Sequence, residues 1–303
     1  MIYTVTLNAS IDYIIKVPHF KDGIINHTDT ELIRPGGKGI NVSSIVHSLG
    51  YKTTALGFIA GHIGNVIDEM VKEKGITSDF IALASGDSRI NVKMRSDTET
   101  EINGRGPHIS DEDMHKLYGK LDDIKDGDVL VLSGSVPSHL SKTTYADILQ
   151  YVNHKDVLCI VDAEGELLTD TLSFHPFLIK PNQHELGAIF HHEIKTKEEA
   201  AYYGHKLQEK GARNVLISMG KDGAVLVSED AKDLYMPAPK GKAVNSVGAG
   251  DSMVAGFLYG WLENHDYNKA LTMCIAAGSA TAFEEDLANR KEIYDLLHQI
   301  TVE

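Results

Sequence analysis

The sequence predicts an α/β fold in which a doubly wound, mostly parallel sheet is flanked by helices and a small second sheet forms a lid. From about residue 110 onward, apolar strand patterns alternate with helical patterns, as in a parallel sheet covered on both faces. Two other regions, about 11–33 and 89–105, alternate apolar and polar residues, which indicates a sheet with one wet face. Two glycine-rich turns lead directly into helical patterns. We therefore predict a single domain, 1–303, with lid strands drawn from those two regions.

Each element rests on its own pattern. Continuous apolar runs predict buried strands, and runs that alternate apolar and polar residues predict lid strands. Apolar residues at helical spacing predict helices, and Gly50 and Gly75 mark the ends of the first two helices. A polar turn around Asp97 joins two lid strands into a hairpin. The predicted strands are, in order, 2–7, 11–17, 28–33, 53–59, 90–95, 100–103, 128–133, 157–161, 177–179, 214–218, 224–227 and 234–236. The predicted helices are, in order, 40–49, 64–74, 110–122, 142–153, 185–190, 196–210, 250–264, 267–284 and 290–300.

Composition limits the classes of partner. The net charge is −14 and no long run of basic residues occurs, which argues against a nucleic-acid partner. An anion site must therefore depend on helix ends, a few basic side chains and a metal ion. Cys159 and Cys274 lie in separate apolar runs and are predicted to be core residues in a reducing compartment. The chain shows no basic leader and no apolar run long enough for a bilayer, so we expect a cytoplasmic protein without a membrane partner.

The most informative stretch is Asn-Ser-Val-Gly-Ala-Gly-Asp at 245–251, which opens a helical pattern. Glycine allows a tight turn with accessible N–H groups, and a helix N-terminus carries a positive dipole, so the turn is suited to binding phosphate. Asp251 in that turn is expected to stay ionised and to accept a proton from a hydroxyl near the phosphate. The alternative is that Asp251 only complements the helix dipole.

A second glycine-rich turn, Gly-Gly-Lys-Gly at 36–39, also precedes a helix. It is not a Walker A loop, because no Ser or Thr follows Lys38. One interpretation is a cradle for sugar hydroxyls completed by Asn41; the other is a tight connection between lid and core. Asp12, early in the first lid strand, could bind two sugar hydroxyls or could simply be exposed.

The lid hairpin is locally basic although the chain is acidic. Arg89 and Arg105 stand at its ends, where a lid would meet the cleft, and arginine forks suit a substrate phosphate. We expect the side chains of Lys93 and Arg95, within the hairpin, to lie on a face that is exposed to solvent.

Lys180 to Glu185 ends one strand and begins a helix. Asn182 as N-cap with Glu185 at the third position predicts a capping box. The same residues could organise Mg²⁺ and its waters, with Lys180 near a nucleotide, because Mg²⁺ needs few protein carboxylates. Ser218 and Gly220 follow another strand, at the carboxyl edge where ligands bind in such sheets.

Together these stretches resemble the ribokinase-type (PfkB) sugar kinases over nearly the whole chain. Residues 36–41 resemble the N-terminal signature of that family, and 247–251 resemble its more specific C-terminal signature. Ala9 stands where the family usually has proline, and Asn-Ser at 245–246 replaces Asp-Thr. The runs most similar to the members that act on fructose 1-phosphate are 1–8, 10–14, 89–93 and 100–107.

The resemblance implies a ribokinase-like fold and a role for each matching residue. The implied catalytic residues are Asp251 as base, with Gly248, Ala249 and Gly250 as anion hole. The predicted substrate contacts are Asp12, Gly37, Lys38, Asn41, Arg89 and Arg105. The predicted nucleotide contacts are Lys180, Asn182, Ser218, Gly220, Asn245 and Cys274, with Glu185 near Mg²⁺ through water.

The resemblance thus implies a kinase that uses ATP and Mg²⁺ to convert fructose 1-phosphate to fructose 1,6-bisphosphate. Tagatose 6-phosphate and fructose 6-phosphate are the alternative substrates within the family. A sugar-phosphate sensor without activity is the alternative from another class. The apolar lid residues predict a homodimer with the two lids face to face. They are Ile11, Ile15, Ile90, Val92 and Met94.

Overall fold

The computed structural model of the chain describes residues 1–230 and 232–300 and contains a large and a small sheet. The strands are β1 (Ile2–Thr6), β2 (Ser10–Lys16), β3 (Thr30–Gly36), β4 (Thr53–Ala60), β5 (Thr77–Leu83), β6 (Arg89–Arg95), β7 (Glu99–Asn103), β8 (Val129–Ser133), β9 (Leu158–Asp162), β10 (Leu178–Ile179), β11 (Asn214–Ser218), β12 (Ala224–Val227) and β13 (Asp233–Met236). The helices are α1 (Lys38–Ser48), α2 (Gly61–Glu73), α3 (Asp111–Leu121), α4 (Thr144–Val152), α5 (Glu166–Thr169), α6 (Gln183–Phe190), α7 (Lys197–Glu209), α8 (Ala249–Asn264), α9 (Tyr267–Phe283) and α10 (Arg290–Leu297). Every predicted strand and helix is present in the predicted order, with ends that differ by a few residues, but β5 and the short helix α5 were not predicted.

The large sheet has nine strands in the order β13-β12-β11-β10-β9-β8-β1-β4-β5. It is parallel from β5 to β11, and β12 and β13 close one edge as an antiparallel hairpin. The chain leaves β1 towards β4 on one side and later returns to β8 on the other. This reversal creates a switch point at the carboxyl ends of β1 and β8, where open α/β sheets bind their ligands.

Two buried apolar clusters cover the two faces of this sheet. Alternate residues of β8 supply them: Leu130 and Leu132 belong to one cluster, and Val129 and Val131 to the other. Because successive side chains of a strand point to opposite faces, a continuous apolar run is what a doubly covered strand requires. The prediction of a sheet flanked by helices on both faces is therefore confirmed.

The lid is a four-stranded sheet in the order β3-β2-β6-β7. Its strands come from the two predicted regions. Its outer face exposes Ile33, Ile90 and Ile102, whose exposed fractions are 52%, 44% and 64%. Ile11, which the register pairs with Ile90, was wrongly expected to be exposed: it is buried against the helix α2, in a cluster with Ile67.

The edge strand β5, which pairs with β4, was not predicted from the sequence. This strand begins with three polar residues, and most of its side chains are at least partly exposed. As an edge strand it lacks the continuous apolar run that identified the central strands.

Among the residues that the structure describes, no helix combines the length and the apolar character that crossing a membrane requires.

Candidate active site

A cleft of about 910 Å³ lies between the lid and the carboxyl edge of the large sheet. One wall comes from lid strands β2, β6 and β7, and the floor comes from the ends of β1, β8 and β9. The first turns of α1 and α8 also face it, through Lys38 and Asp251. Since β1 and β8 flank the topological switch point, the cleft is where this sheet is expected to bind a ligand.

The glycine turn before α8 has a geometry that only glycine accommodates. Gly248 has φ +82°, a left-handed conformation, and a Cβ built there would lie 2.5 Å from Leu287 Cδ2. Gly250 packs against the Lys180 ammonium, 3.2 Å from the position of a Cβ. The first N–H groups of α8 therefore face the cleft beside a lysine, an arrangement that favours an anion.

Asp251, in the first turn of α8, is 5% exposed, and its Oδ2 accepts a 2.7 Å hydrogen bond from Asn41 Nδ2. Burial, reinforced by the nearby Asp162 charge, raises the pKa of Asp251 to about 6, against the opposing effects of Lys38, Asn41 and Lys180. At pH 7 roughly nine in ten Asp251 carboxyls are still ionised, and a pKa near the working pH suits a general base.

Asp162, at the end of β9, is a site residue that the sequence analysis missed. It is 1% exposed and lies 3.4 Å from Lys180 Nζ and 3.5 Å from Lys38 Nζ. Burial alone would raise the pKa of Asp162, but Lys180 and Lys38 together hold it below the usual value. Its position directly after a continuous apolar strand was the signal that could have identified it.

On the lid side, Asp12 is 4% exposed and fixed by neighbouring side chains. Its Oδ1 accepts hydrogen bonds of 3.0 Å from both Ser10 and Asn91, and its Oδ2 lies 2.9 Å from Lys93 Nζ. The expectation of a solvated Lys93 is wrong, because the Lys93 side chain is only 12% exposed and lines the cleft. Strand alternation places Arg89, Asn91 and Lys93 on one face, towards the cleft.

The capping box predicted at α6 is confirmed. Asn182 Oδ1 accepts from the amides of His184 and Glu185, and Glu185 Oε2 accepts from the Asn182 amide at 2.8 Å. Burial raises the pKa of Glu185, although the Asn182 amide, Lys180 and Lys38 oppose that effect.

The residues present fit a hydrated Mg²⁺ ion. The two lysine ammonium groups lie 3.4 and 3.5 Å from Asp162 Oδ1, but neither carboxylate oxygen accepts a hydrogen bond of normal geometry, and Glu185 lines the same cleft. In the described part of the chain, no group of three or more His, Cys, Asp or Glu forms a closed metal cage. Mg²⁺ usually keeps several waters and takes one or two carboxylates plus phosphate oxygens, which this donor set allows.

Most of the predicted site residues meet in this cleft. Those that line it are Asp12, Gly37, Lys38, Asn41, Arg89, Lys180, Asn182, Glu185, Ser218, Gly248, Gly250 and Asp251. Residues that the analysis did not single out also line it, among them Asn91 and Ser133, each with a buried oxygen that has no partner.

Five predicted residues lie elsewhere. Cys274 is fully buried in the core between α8 and α9, so its side chain cannot contact a nucleotide in this conformation. Asn245 is 2% exposed and stabilises the loop before α8, bonding to the Val247 amide and the Glu285 carbonyl. Arg105, Gly220 and Ala249 do not line the cleft either; Arg105 is exposed and contributes its carbonyl to Asn8.

The fold and this cleft place the chain in a family. Residues 5–292 match the pfkB family of carbohydrate kinases, and the chain belongs to that family. The predicted enzyme class, a kinase that acts on an alcohol group of a carbohydrate substrate, is therefore confirmed. The ribokinase-like fold is confirmed as well, by the family match and by the two observed sheets.

Named relatives extend along the whole chain. A 1-phosphofructokinase of Bacillus subtilis (strain 168) is 43% identical over 302 residues, which cover 100% of this chain and 99% of the relative. A D-tagatose-1-phosphate kinase of Bacillus licheniformis is 36% identical over 303 residues, covering 100% and 99%. The structure is also similar to phosphofructokinase-2 from Escherichia coli in complex with fructose-6-phosphate, with a TM-score of 0.91, 25% identity and 98% of each chain covered.

Proposed function

We propose that this protein transfers the γ-phosphoryl group of ATP to the C6 hydroxyl of fructose 1-phosphate, producing fructose 1,6-bisphosphate. The observation that carries the proposal is the position of Asp251. It lies buried at a helix N-terminus and faces a lid whose inner side holds Asp12, Lys93 and Arg89. A base beside an anion site, opposite a cationic wall, matches a substrate that carries both a hydroxyl and a phosphate.

In this mechanism Asp251 accepts the proton of the C6 hydroxyl while that oxygen attacks the γ-phosphoryl in line. The N–H groups at the start of α8, with Lys38 and Lys180, stabilise the charge on the transferring group. Mg²⁺, held near Asp162 and Glu185 when bound, would neutralise phosphate charge. The lid excludes water and so limits wasteful hydrolysis of ATP.

Specific residues would hold the sugar phosphate and the nucleotide. Asp12, held in one orientation by its three neighbours, binds sugar hydroxyls together with Asn41 and the amides of the 36–39 turn. Arg89 and Lys93 bind the phosphate that is already on the sugar, since arginine forks and ammonium groups suit that anion. ATP enters from the side of Asn182 and Ser218, where β10 and β11 end.

The relatives support the C1-phosphate orientation of the substrate. Two of them are named for ketose 1-phosphates, fructose and D-tagatose, which differ only in configuration at C4. D-tagatose 1-phosphate is accordingly the second candidate substrate, and it leaves the reacting C6 hydroxyl in place. Tagatose 6-phosphate and fructose 6-phosphate would have to bind reversed, with C1 at Asp251.

The test is ADP release with MgATP and one sugar phosphate at a time, comparing kcat/KM. The panel contains fructose 1-phosphate, tagatose 1-phosphate, fructose 6-phosphate and tagatose 6-phosphate. The proposal expects the highest value with fructose 1-phosphate. Preference for a 6-phosphate would refute the substrate orientation, and binding without any ADP release would favour the sensor.

We also propose a homodimer in which the outer faces of two lids pack together. Ile33, Ile90 and Ile102 are exposed on one face of the lid, and neighbouring exposed apolar side chains are typical of an interaction surface. In a two-fold dimer the same surface of both subunits is in contact, so this apolar patch would pack against its own copy. Sedimentation at micromolar concentration should give a dimer, and Ile102→Asp should give a monomer; a wild-type monomer would refute the proposal.

A further inference from the structure

The lid is connected to the far end of the chain by an ion pair. Arg34, near the end of β3, places Nη1 2.6 Å from Oδ1 of Asp286, a residue 252 positions later in the loop between α9 and α10. The Arg34 side chain is 8% exposed and that of Asp286 is 46% exposed. In the lid, Arg34 lies directly opposite Asp12 in the β2–β3 register. The strand β3, which pairs with the strand that carries the predicted sugar-binding carboxylate, is thus joined to this loop.

The loop that Arg34 reaches, residues 284–288, packs against the anion hole. Asp286 Oδ1 also accepts the Leu287 amide at 2.7 Å, so the same carboxylate that binds the lid orients the next residue. Leu287 Cδ2 occupies the space in which a Cβ of Gly248 would lie. The carbonyl of Glu285 accepts a 3.2 Å hydrogen bond from Asn245, which in turn orients the turn before α8.

The far end of the loop is anchored to the helices that carry the base. The Ala288 amide donates to Thr281 Oγ1 at 3.1 Å, and Thr281 Oγ1 lies 2.7 Å from Ser252 Oγ, one residue after Asp251. Residues 284–288 are thus bonded to α9 at one end, contact Gly248 through Leu287 and are bound by Arg34 at Asp286. A shift of the lid that keeps the ion pair must move Leu287, and with it the glycine turn.

We propose that Arg34 is a positioning residue that sets the anion hole relative to the lid by way of Asp286 and Leu287. The proposal rests on the proposed kinase function, because it concerns the alignment of a lid-bound sugar with the phosphoryl group at α8. Arg34 itself does not line the cleft. A planar, always charged guanidinium suits this role, since it fixes direction as well as charge.

The kinetic test compares Arg34→Ala, Asp286→Ala, their double variant and Arg34→Lys. Because a misplacement of about 1 Å can reduce a rate about 10²-fold, each single variant should lower kcat at least about tenfold, with KM for MgATP changed less than about twofold. The double variant should be no slower than the slower single variant, since both remove one contact. Arg34→Lys, which keeps the charge, should recover part of kcat. Wild-type kcat in the single variants, or additive losses in the double variant, would refute the proposal.

A second readout does not depend on turnover. Hydrogen–deuterium exchange of residues 245–252 should be at least about tenfold faster in Arg34→Ala than in the wild type, as expected when local opening becomes easier. The matched control is Arg213→Ala, which removes another arginine–carboxylate pair, with Glu229 at 2.7 Å, between the residue before β11 and the turn after β12. The control should leave exchange at 245–252 unchanged.

Hydrogen–deuterium exchange also distinguishes a failure of this proposal from a failure of the proposed function. If no sugar phosphate is turned over but Arg34→Ala still accelerates exchange at 245–252, the function fails and the positioning contact stands. If turnover is normal and exchange is unchanged, the positioning contact fails. Should Arg34→Ala not fold, as its thermal unfolding would reveal, Asp286→Ala removes the same contact from the half-exposed side.

Discussion

Asn41 Nδ2 donates a 2.7 Å hydrogen bond to Asp251 Oδ2, linking the first turns of α1 and α8 across 210 residues of sequence. Both turns follow glycines, and both face the same cleft. The two glycine-rich signatures are therefore parts of one site. The first presents an amide to the carboxylate that the second carries, so the protonation of Asp251 depends on residues from both ends of the chain.

The first prediction concerns the base. Asp251→Asn should lower kcat about 10²-fold or more, because the amide cannot accept the proton of the attacking hydroxyl. The measurement is steady-state ADP release at saturating MgATP and fructose 1-phosphate. Asp295→Asn, which changes an exposed carboxylate paired with Lys291, should leave kcat unchanged. Near-normal turnover by Asp251→Asn would remove Asp251 from the mechanism.

The second prediction is a pH dependence. With the pKa of Asp251 raised to about 6, the ionised base is present above that value and is lost as pH falls through it. The kcat/KM profile, which reports the free enzyme, should therefore fall about tenfold per pH unit below 6. The Asn41 hydrogen bond lowers this pKa, so Asn41→Ala should shift the acid limb to higher pH.

The control for that shift lies on the same helix. Ser48→Ala removes a hydroxyl that bonds only to the Ile45 carbonyl, at the other end of α1. Its profile should overlay the wild-type curve. An acid limb that is unmoved in Asn41→Ala would show that another group controls activity below neutral pH.

The third prediction concerns the glycine turn. Gly248→Ala forces a side chain into a left-handed conformation and against Leu287, so it should cost roughly 1–3 kcal/mol of unfolding free energy and lower kcat. Gly119→Ala is the matched control, since nothing lies within 4 Å of its Cβ in the exposed helix α3. That control should stabilise the protein by about 0.5–1 kcal/mol in urea unfolding. Equal effects at both positions would contradict the strained geometry.

The fourth prediction concerns Lys93. Lys93→Gln removes a cation from the inner face of the lid and the charged partner of Asp12, so KM for fructose 1-phosphate should rise at least about tenfold. KM for MgATP should change little, because Lys93 belongs to the lid wall. Lys291→Gln, on the exposed pair with Asp295, serves as the control. An unchanged KM for the sugar phosphate would show that Lys93 does not bind it and only stabilises the lid.

Patterns local in sequence were predicted well. The glycine turns, the capping box at Asn182 and the alternating lid strands depend on a few consecutive residues, and each was recognised from them. The predicted environment of a side chain was wrong where that environment depends on a residue distant in the sequence. Lys93 looked like a solvated residue because its partner Asp12 is 81 positions away. The predicted burial of Cys274, by contrast, is confirmed, because it depends on the apolar run around that residue.

The fold class, the family and the candidate base Asp251 could be predicted from the sequence, because they depend on residue type and short-range order. Three features follow only from packing: Asp162 lies between Lys38 and Lys180, burial raises the pKa of Asp251 to about 6, and Arg34 reaches Asp286. Desolvation and Coulomb interactions depend on distances between atoms from separate elements, and those distances exist only once the sheet and helices have packed.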